Sequence, residues 1–176
     1  TWRDGRRSVL LYIASLPSGF LLYPGLLLMV LGLVFGALLV EGPVVLRGVR
    51  FDVHTLLFCS AAVLLGFQLI AYSVAVRFLM VTARLLPPHL GFPAWIVNMR
   101  FEHGLAAGLV LILMGLGGVL RLLRIWGAES FADLDPFMTM RIAIPSATAI
   151  TLGLQVAFAA LFLSLAKWPA RTRGQG

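Results

Sequence analysis

Acidic residues are scarce in this 176-residue chain: seven Asp and Glu stand against fourteen Lys and Arg, and charged residues of either sign make up only 12%. Soluble domains carry about twice that charged fraction. Hydrophobic residues make up 60% instead, with a mean hydropathy of +0.98. A soluble fold of this size has no way to hide so much apolar surface, because a chain of about 150 residues buries only about 70% of it. The shortage of charge therefore excludes a water-soluble enzyme and makes lipid the main solvent. It also removes nucleic acid as a partner, although a net charge of +7 and a pI near 11.1 would point that way on a soluble protein. Cysteine is nearly absent too. Cys59 stands alone, which excludes an internal disulfide, and its apolar setting reads as a small buried hydrophobe.

Several catalytic patterns are missing. His54, His89 and His103 are scattered, and no two stand three or four apart beside a carboxylate, so no metal site is expected. No serine–histidine–acid set, nucleotide-binding loop or buried carboxylate pair is visible, and no catalytic residue is assigned in this chain. The run Gly115-Leu116-Gly117-Gly118 lies within an apolar stretch and lacks the strand that must precede a nucleotide loop. Glu102-His103 reads as a solvated helix start, with an acid–base pair as the alternative. Asp133 and Asp135 read as a helix cap, with a cation-binding turn as the alternative. No Asp or Glu falls inside a long apolar run, which argues against a proton-coupled transporter.

Four stretches are long enough for a hydrocarbon core of roughly 30 Å, which takes about 20 helical residues. They run over 20–40, 55–76, 104–123 and 142–166. Each must be helical, since lipid offers no partner to an unpaired backbone group. The fold expected is an all-α integral membrane protein. Its four-helix transmembrane domain (20–176) follows a juxtamembrane segment (1–19), in which Ser8 to Gly19 reads as a helix lying in the interface, with a plain positive flank of the first span as the alternative. Arg121 and Arg124 extend the third span by snorkelling. Glu41-Gly42-Pro43 stops the first span, and Pro43 to Val53 forms a short loop. Asp135-Pro136 marks a turn or helix start, and Pro145 is expected in the first turn of the fourth span, where proline is tolerated.

Charge sets the orientation. Both termini and the segment 77–103 fall on one side, which carries nine basic residues against two acidic ones, a net +7. The other side carries five against five, a net of zero. Basic residues mark the cytoplasmic side, so both termini are expected there. The first residues, Trp2 to Arg7, carry no signal-peptidase pattern, and the chain is expected to be cut from a longer protein.

An internal repeat is visible. Gly66-Phe67-Gln68 aligns with Gly153-Leu154-Gln155 at an offset of 87, and two hairpins repeated in the same sense would be related by an axis along the membrane normal. Gln68 and Gln155 are the most polar residues deep in the spans. Such amides serve as helix-packing glue at roughly 0.6 kcal/mol each, or as polar contacts for a lipid-linked substrate. Gly66 and Gly153 would let helices approach closely.

These residues together resemble a known arrangement. Trp2-Arg3-Asp4-Gly5-Arg6-Arg7, Leu22-Tyr23-Pro24-Gly25, Phe51-Asp52-Val53-His54-Thr55-Leu56-Leu57, Gly66-Phe67-Gln68, Ile144-Pro145-Ser146 and Gly153-Leu154-Gln155 look like the C-terminal membrane region of bacterial family 2 glycosyltransferases. That group includes the dolichol-phosphate mannosyltransferase-like and other polyprenyl-phosphate sugar transferases. The resemblance implies a cytoplasmic GT-A domain upstream, which binds the nucleotide sugar and a divalent metal and is missing from this chain. It implies a bacterial plasma-membrane anchor that brings a polyprenyl phosphate to that domain. Arg3, Arg6, Arg7, Arg84 and Arg100 are the candidates to border the lipid phosphate; the alternative is that they only fix topology. No cofactor is expected in the chain itself, and oligomeric state is left open. The competing function is a non-catalytic four-span protein, such as a lipid-linked sugar flippase or partner subunit.

Overall fold

The computed structural model describes residues 19–82, 101–128 and 135–172. Among them are four helices and one small hairpin: α1 (Gly19–Glu41), β1 (Val44–Leu46), β2 (Val49–Phe51), α2 (Val53–Thr82), α3 (Phe101–Ala128) and α4 (Pro136–Thr172). All four helices are long and apolar enough to cross a membrane. The protein is an all-α membrane protein with four candidate spans. The interfacial helix expected before the first span lies outside the described residues, apart from Gly19, which opens α1.

The exposure pattern is that of a protein solvated by lipid. Tyr23, Phe58 and Phe158 are 75%, 74% and 67% exposed, whereas the buried apolar side chains are Leu39, Val53, Leu56 and Val63. Large apolar groups facing outward cost nothing in hydrocarbon, where helix contacts rest on close packing rather than on exclusion of water.

The helices run past the expected spans. The fourth starts at Pro136, six residues before the expected 142. Asp135 sets that start. Its Oδ1 accepts the Phe137 N–H at 3.0 Å, and its carbonyl accepts both the N–H and the hydroxyl of Thr139, at 3.1 and 2.9 Å. Pro136 then takes the first helical position, where its missing N–H leaves nothing unpaired. Pro145 consequently lies in the third turn rather than the first, a correction to the sequence reading. There it denies the Arg141 carbonyl its helical donor. At 37 residues, α4 is about 55 Å long at 1.5 Å per residue, more than a bilayer core requires.

The stretch expected as a plain loop, 43–53, folds instead as an antiparallel β-hairpin, pairing Val44 with Phe51, Val45 with Arg50 and Leu46 with Val49. Arg47 and Gly48 form its two-residue turn with φ of 49° and 80°. Positive φ at both central residues is what a tight turn needs to match the twist of the flanking strands. Asp52 follows at once and starts α2: its Oδ1 accepts the Val53 N–H at 3.0 Å, and its carbonyl accepts from Thr55 and Leu56.

Helices α1 and α2 pack as one hairpin and α3 and α4 as another, and the two meet mainly through α2 against α4. Within each hairpin the contact runs through glycine. A Cβ at Gly66 would lie 2.6 Å from the Gly25 carbonyl oxygen and 2.6 Å from the Met29 nitrogen. A Cβ at Gly153 would lie 2.6 Å from the Gly108 oxygen and 2.8 Å from Ile112. Likewise Gly32 lies against Cys59 and Val63, and Gly115 against Ser146 and Ile150. The correspondence is residue for residue. Gly25, Met29 and Gly32 match positions 83 further on, while Cys59, Val63 and Gly66 match positions 87 further on. The repeat seen in sequence is therefore a repeat of helix crossings, with both connections at the same end and α2 and α4 at the centre.

Candidate functional site

A cluster of charged side chains stands at the end of the bundle where both hairpins turn. Asp52 is its centre. Its side chain is 11% exposed and accepts a 2.7 Å charged hydrogen bond from Arg141 Nη2. Its second oxygen lies 3.2 Å from Arg50 Nη2. The Arg141 guanidinium, then its own Val53 N–H, hold the Asp52 carboxyl below the ordinary carboxylate range, against the opposing effect of desolvation. Asp52 belongs to the first hairpin and Arg141 to the second, so this pair ties the halves together. One carboxylate thus serves two guanidinium groups, and Arg141 Nε is buried without a hydrogen-bond partner among the described residues.

Beside the pair lies a cleft of about 460 Å³, into which Arg50, Arg121, Arg141 and Asp135 project. Its apolar walls are Val40, Pro43, Phe137, Met138 and Ile142. The three arginines come from β2, α3 and α4. Asp135 is committed in part to the Phe137 N–H. The lining therefore carries a positive excess, with walls suited to an amphiphilic anion.

Of the residues singled out from sequence, Arg3, Arg6, Arg7, Arg84, Arg100, His89 and Asp133 lie outside the described residues. Gly66 and Gly153 sit at the two crossings described above. Their neighbouring amides behave differently. Gln68 is exposed on α2, about 200° around the helix from Gly66 at 100° per residue. Gln155 is half-buried on α4, and its Oε1 has no hydrogen-bond partner among the described residues. The sequence pattern thus places both amides at corresponding positions, but they differ in exposure, and Gln155 Oε1 takes no hydrogen bond from Gln68. Cys59 is part-buried, packed beside Gly32 and Gly36 of α1. His54 and His103 are exposed, and Glu102 makes an interaction of its own. Among the described residues no group of three or more His, Cys, Asp or Glu side chains is placed to hold a metal ion.

The cleft arginines were not singled out from sequence. Arg121 read as a snorkelling end of the third span, and Arg50 and Arg141 only entered a charge count. The available signal was that basic residues close the third span and open the fourth, so one connection brings them face to face.

Comparison with known families bears on the second half of the chain. Residues 74–167, just over half of the sequence, match the glycosyltransferase family 2 C-terminal transmembrane region. The chain belongs to that family. The match runs from the last turns of α2 through α3 and most of α4. It includes Ile144-Pro145-Ser146 and Gly153-Leu154-Gln155, while the other segments that carry the resemblance lie before residue 74. No curated protein and no solved structure matches the chain. The transmembrane region is a membrane-anchoring part of a glycosyltransferase, and its four long apolar helices are the anchor.

Proposed function

We propose that this region holds a family 2 glycosyltransferase domain, joined to its N-terminal side, at the cytoplasmic face of a bacterial plasma membrane. There the domain transfers a sugar from a nucleotide sugar to a polyprenyl phosphate. The observation that carries the reading is the family match over two of four membrane-length helices. The charge distribution supports the orientation, because the entire net +7 falls on the side of the termini. The acceptor phosphate meets Arg3, Arg6, Arg7, Arg84 and Arg100 at that side, each contributing about 1 kcal/mol near an anionic surface. In this scheme the chain's own task is placement: it keeps a membrane-bound acceptor and a cytoplasmic donor site in the same plane.

The test uses the full-length polypeptide in native membranes. R6Q/R7Q should weaken polyprenyl-phosphate use, read as a higher KM for the lipid with an unchanged KM for the nucleotide sugar. Unchanged lipid kinetics would remove the arginines from the acceptor site. Phe131→Cys, with Cys59 replaced by Ser, should be labelled by a membrane-impermeant maleimide from the non-cytoplasmic side. Labelling only after the membrane is opened would reverse the orientation.

A further inference from the structure

We propose that the cleft at the hairpin end binds the phosphate group of an anionic membrane lipid. This site is distinct from the acceptor position proposed at the opposite face and does not depend on it.

Three observations converge. First, Arg50, Arg121 and Arg141 reach one cleft from three separate elements, and Asp135 is the acidic group that lines it. Second, the positive charge is not cancelled among the described residues. Asp52 is shared between Arg50 and Arg141, and Arg121 has no ion pair among the described residues. Guanidinium groups present planar, forked donors that match phosphate oxygens in pairs. Third, Val40, Phe137 and Ile142 wall the same space with apolar surface, and the cleft stands at the end of four membrane-length helices. Headgroup depth is where a lipid phosphate sits, and apolar walls give its glycerol and upper acyl carbons a surface to lie on. At about 460 Å³ the space falls within the range of about 300–1,000 Å³ typical of small-molecule sites. A soluble phosphate ester offers the same charge without the apolar portion.

The experiment compares lipid retention in the full chain. Wild-type protein is reconstituted in nanodiscs of mixed phosphatidylcholine and phosphatidylglycerol, extracted in mild detergent, and examined by native mass spectrometry. The wild type should retain one phosphatidylglycerol in preference to phosphatidylcholine. Arg121→Gln should reduce that retention about fivefold, the effect of one cationic side chain near an anionic headgroup, without changing the melting temperature. Arg124→Gln is the control: Arg124 is exposed on the same helix, three residues on, and does not line the cleft. Arg50→Gln should act like Arg121→Gln. Glu129 and Asp133, in the connection between α3 and α4, keep their natural identity in every variant. Equal retention in wild type and Arg121→Gln, or an equal loss in Arg124→Gln, would overturn the site. Displacement of the lipid by millimolar inorganic phosphate alone would assign the cleft to a soluble phosphate ester and overturn the lipid reading.

Discussion

At the scale of single residues, Asp52 has three duties: it starts α2, it pairs with Arg50 and it holds Arg141 of the other hairpin. Its substitution should therefore cost more than that of either partner. In detergent, thermal unfolding should rank Asp52→Asn below Arg141→Gln, and Arg141→Gln below Arg50→Gln, whose side chain is 67% exposed and whose pair is screened. The reverse order would show that Arg141 does not depend on this carboxylate. The pH dependence has a fixed sign. Asp52 is held below its ordinary value of 3.8, so its contribution is complete above the unfolded value and fades as pH falls through the folded one. The stability gap between wild type and Asp52→Asn should be full at neutral pH and close as the pH falls below about 4. The glycines give a second contrast. Gly115→Ala brings a Cβ within 2.6 Å of the Ser146 carbonyl oxygen, whereas Gly117→Ala meets nothing within 4 Å. The first should cost about 1–3 kcal/mol, and the second should be neutral or gain up to about 1 kcal/mol from the better helix former. Equal melting temperatures would remove the close approach at Gly115. Gly66 and Gly153 were legible in sequence because a glycine in an apolar span has few other uses. Arg50, Arg121 and Arg141 were not, because no spacing links three residues whose meeting depends on how helix ends are placed.

At the scale of elements, the sequence outlined the four helices but not their ends. Arg141 interrupts the apolar run and puts the expected start at 142, but α4 begins where Asp135 caps it, with Phe137, Met138 and Met140 ahead of that arginine. The hairpin was hidden for a different reason. Its turn is Arg47-Gly48, without an Asn or Asp before the glycine, and three-residue strands offer too little alternation to read. Gly48 has φ of +80°, so Gly48→Ala should cost about 1–2 kcal/mol. Amide exchange at residues 44–51 should then quicken while α1 and α2 keep their protection. Unchanged exchange would mean that the turn does not depend on glycine. Arg47→Gly should slow the same amides, because the left-handed conformation at Arg47 is one that glycine adopts without penalty.

At the scale of the molecule, charge and repetition describe the same object in two ways. The sequence sorts the net charge by connection, and the structure places the Asp52–Arg141 pair at the end where both hairpins turn. Fold class and family were both legible from the chain, because lipid leaves few folds open and because span-end motifs fall in a characteristic order. Whether Gln68 and Gln155 have the same environment was not legible. A repeat in sequence fixes which residues correspond, and the neighbours of each helix then decide which correspond in setting.

The glycine crossings have a consequence for the order of assembly. Each joins helices that are adjacent along the chain, so the first half has its own interface before the second has been synthesised. Assembly then becomes the docking of two prefabricated halves along α2 and α4, latched by Asp52 and Arg141. A gene cut within the 83–100 connection should yield two pieces that co-purify from one membrane, and Arg141→Gln should weaken their association while leaving each hairpin inserted. Pieces that fail to find each other would show that the continuous chain, rather than the contact between halves, holds the anchor together.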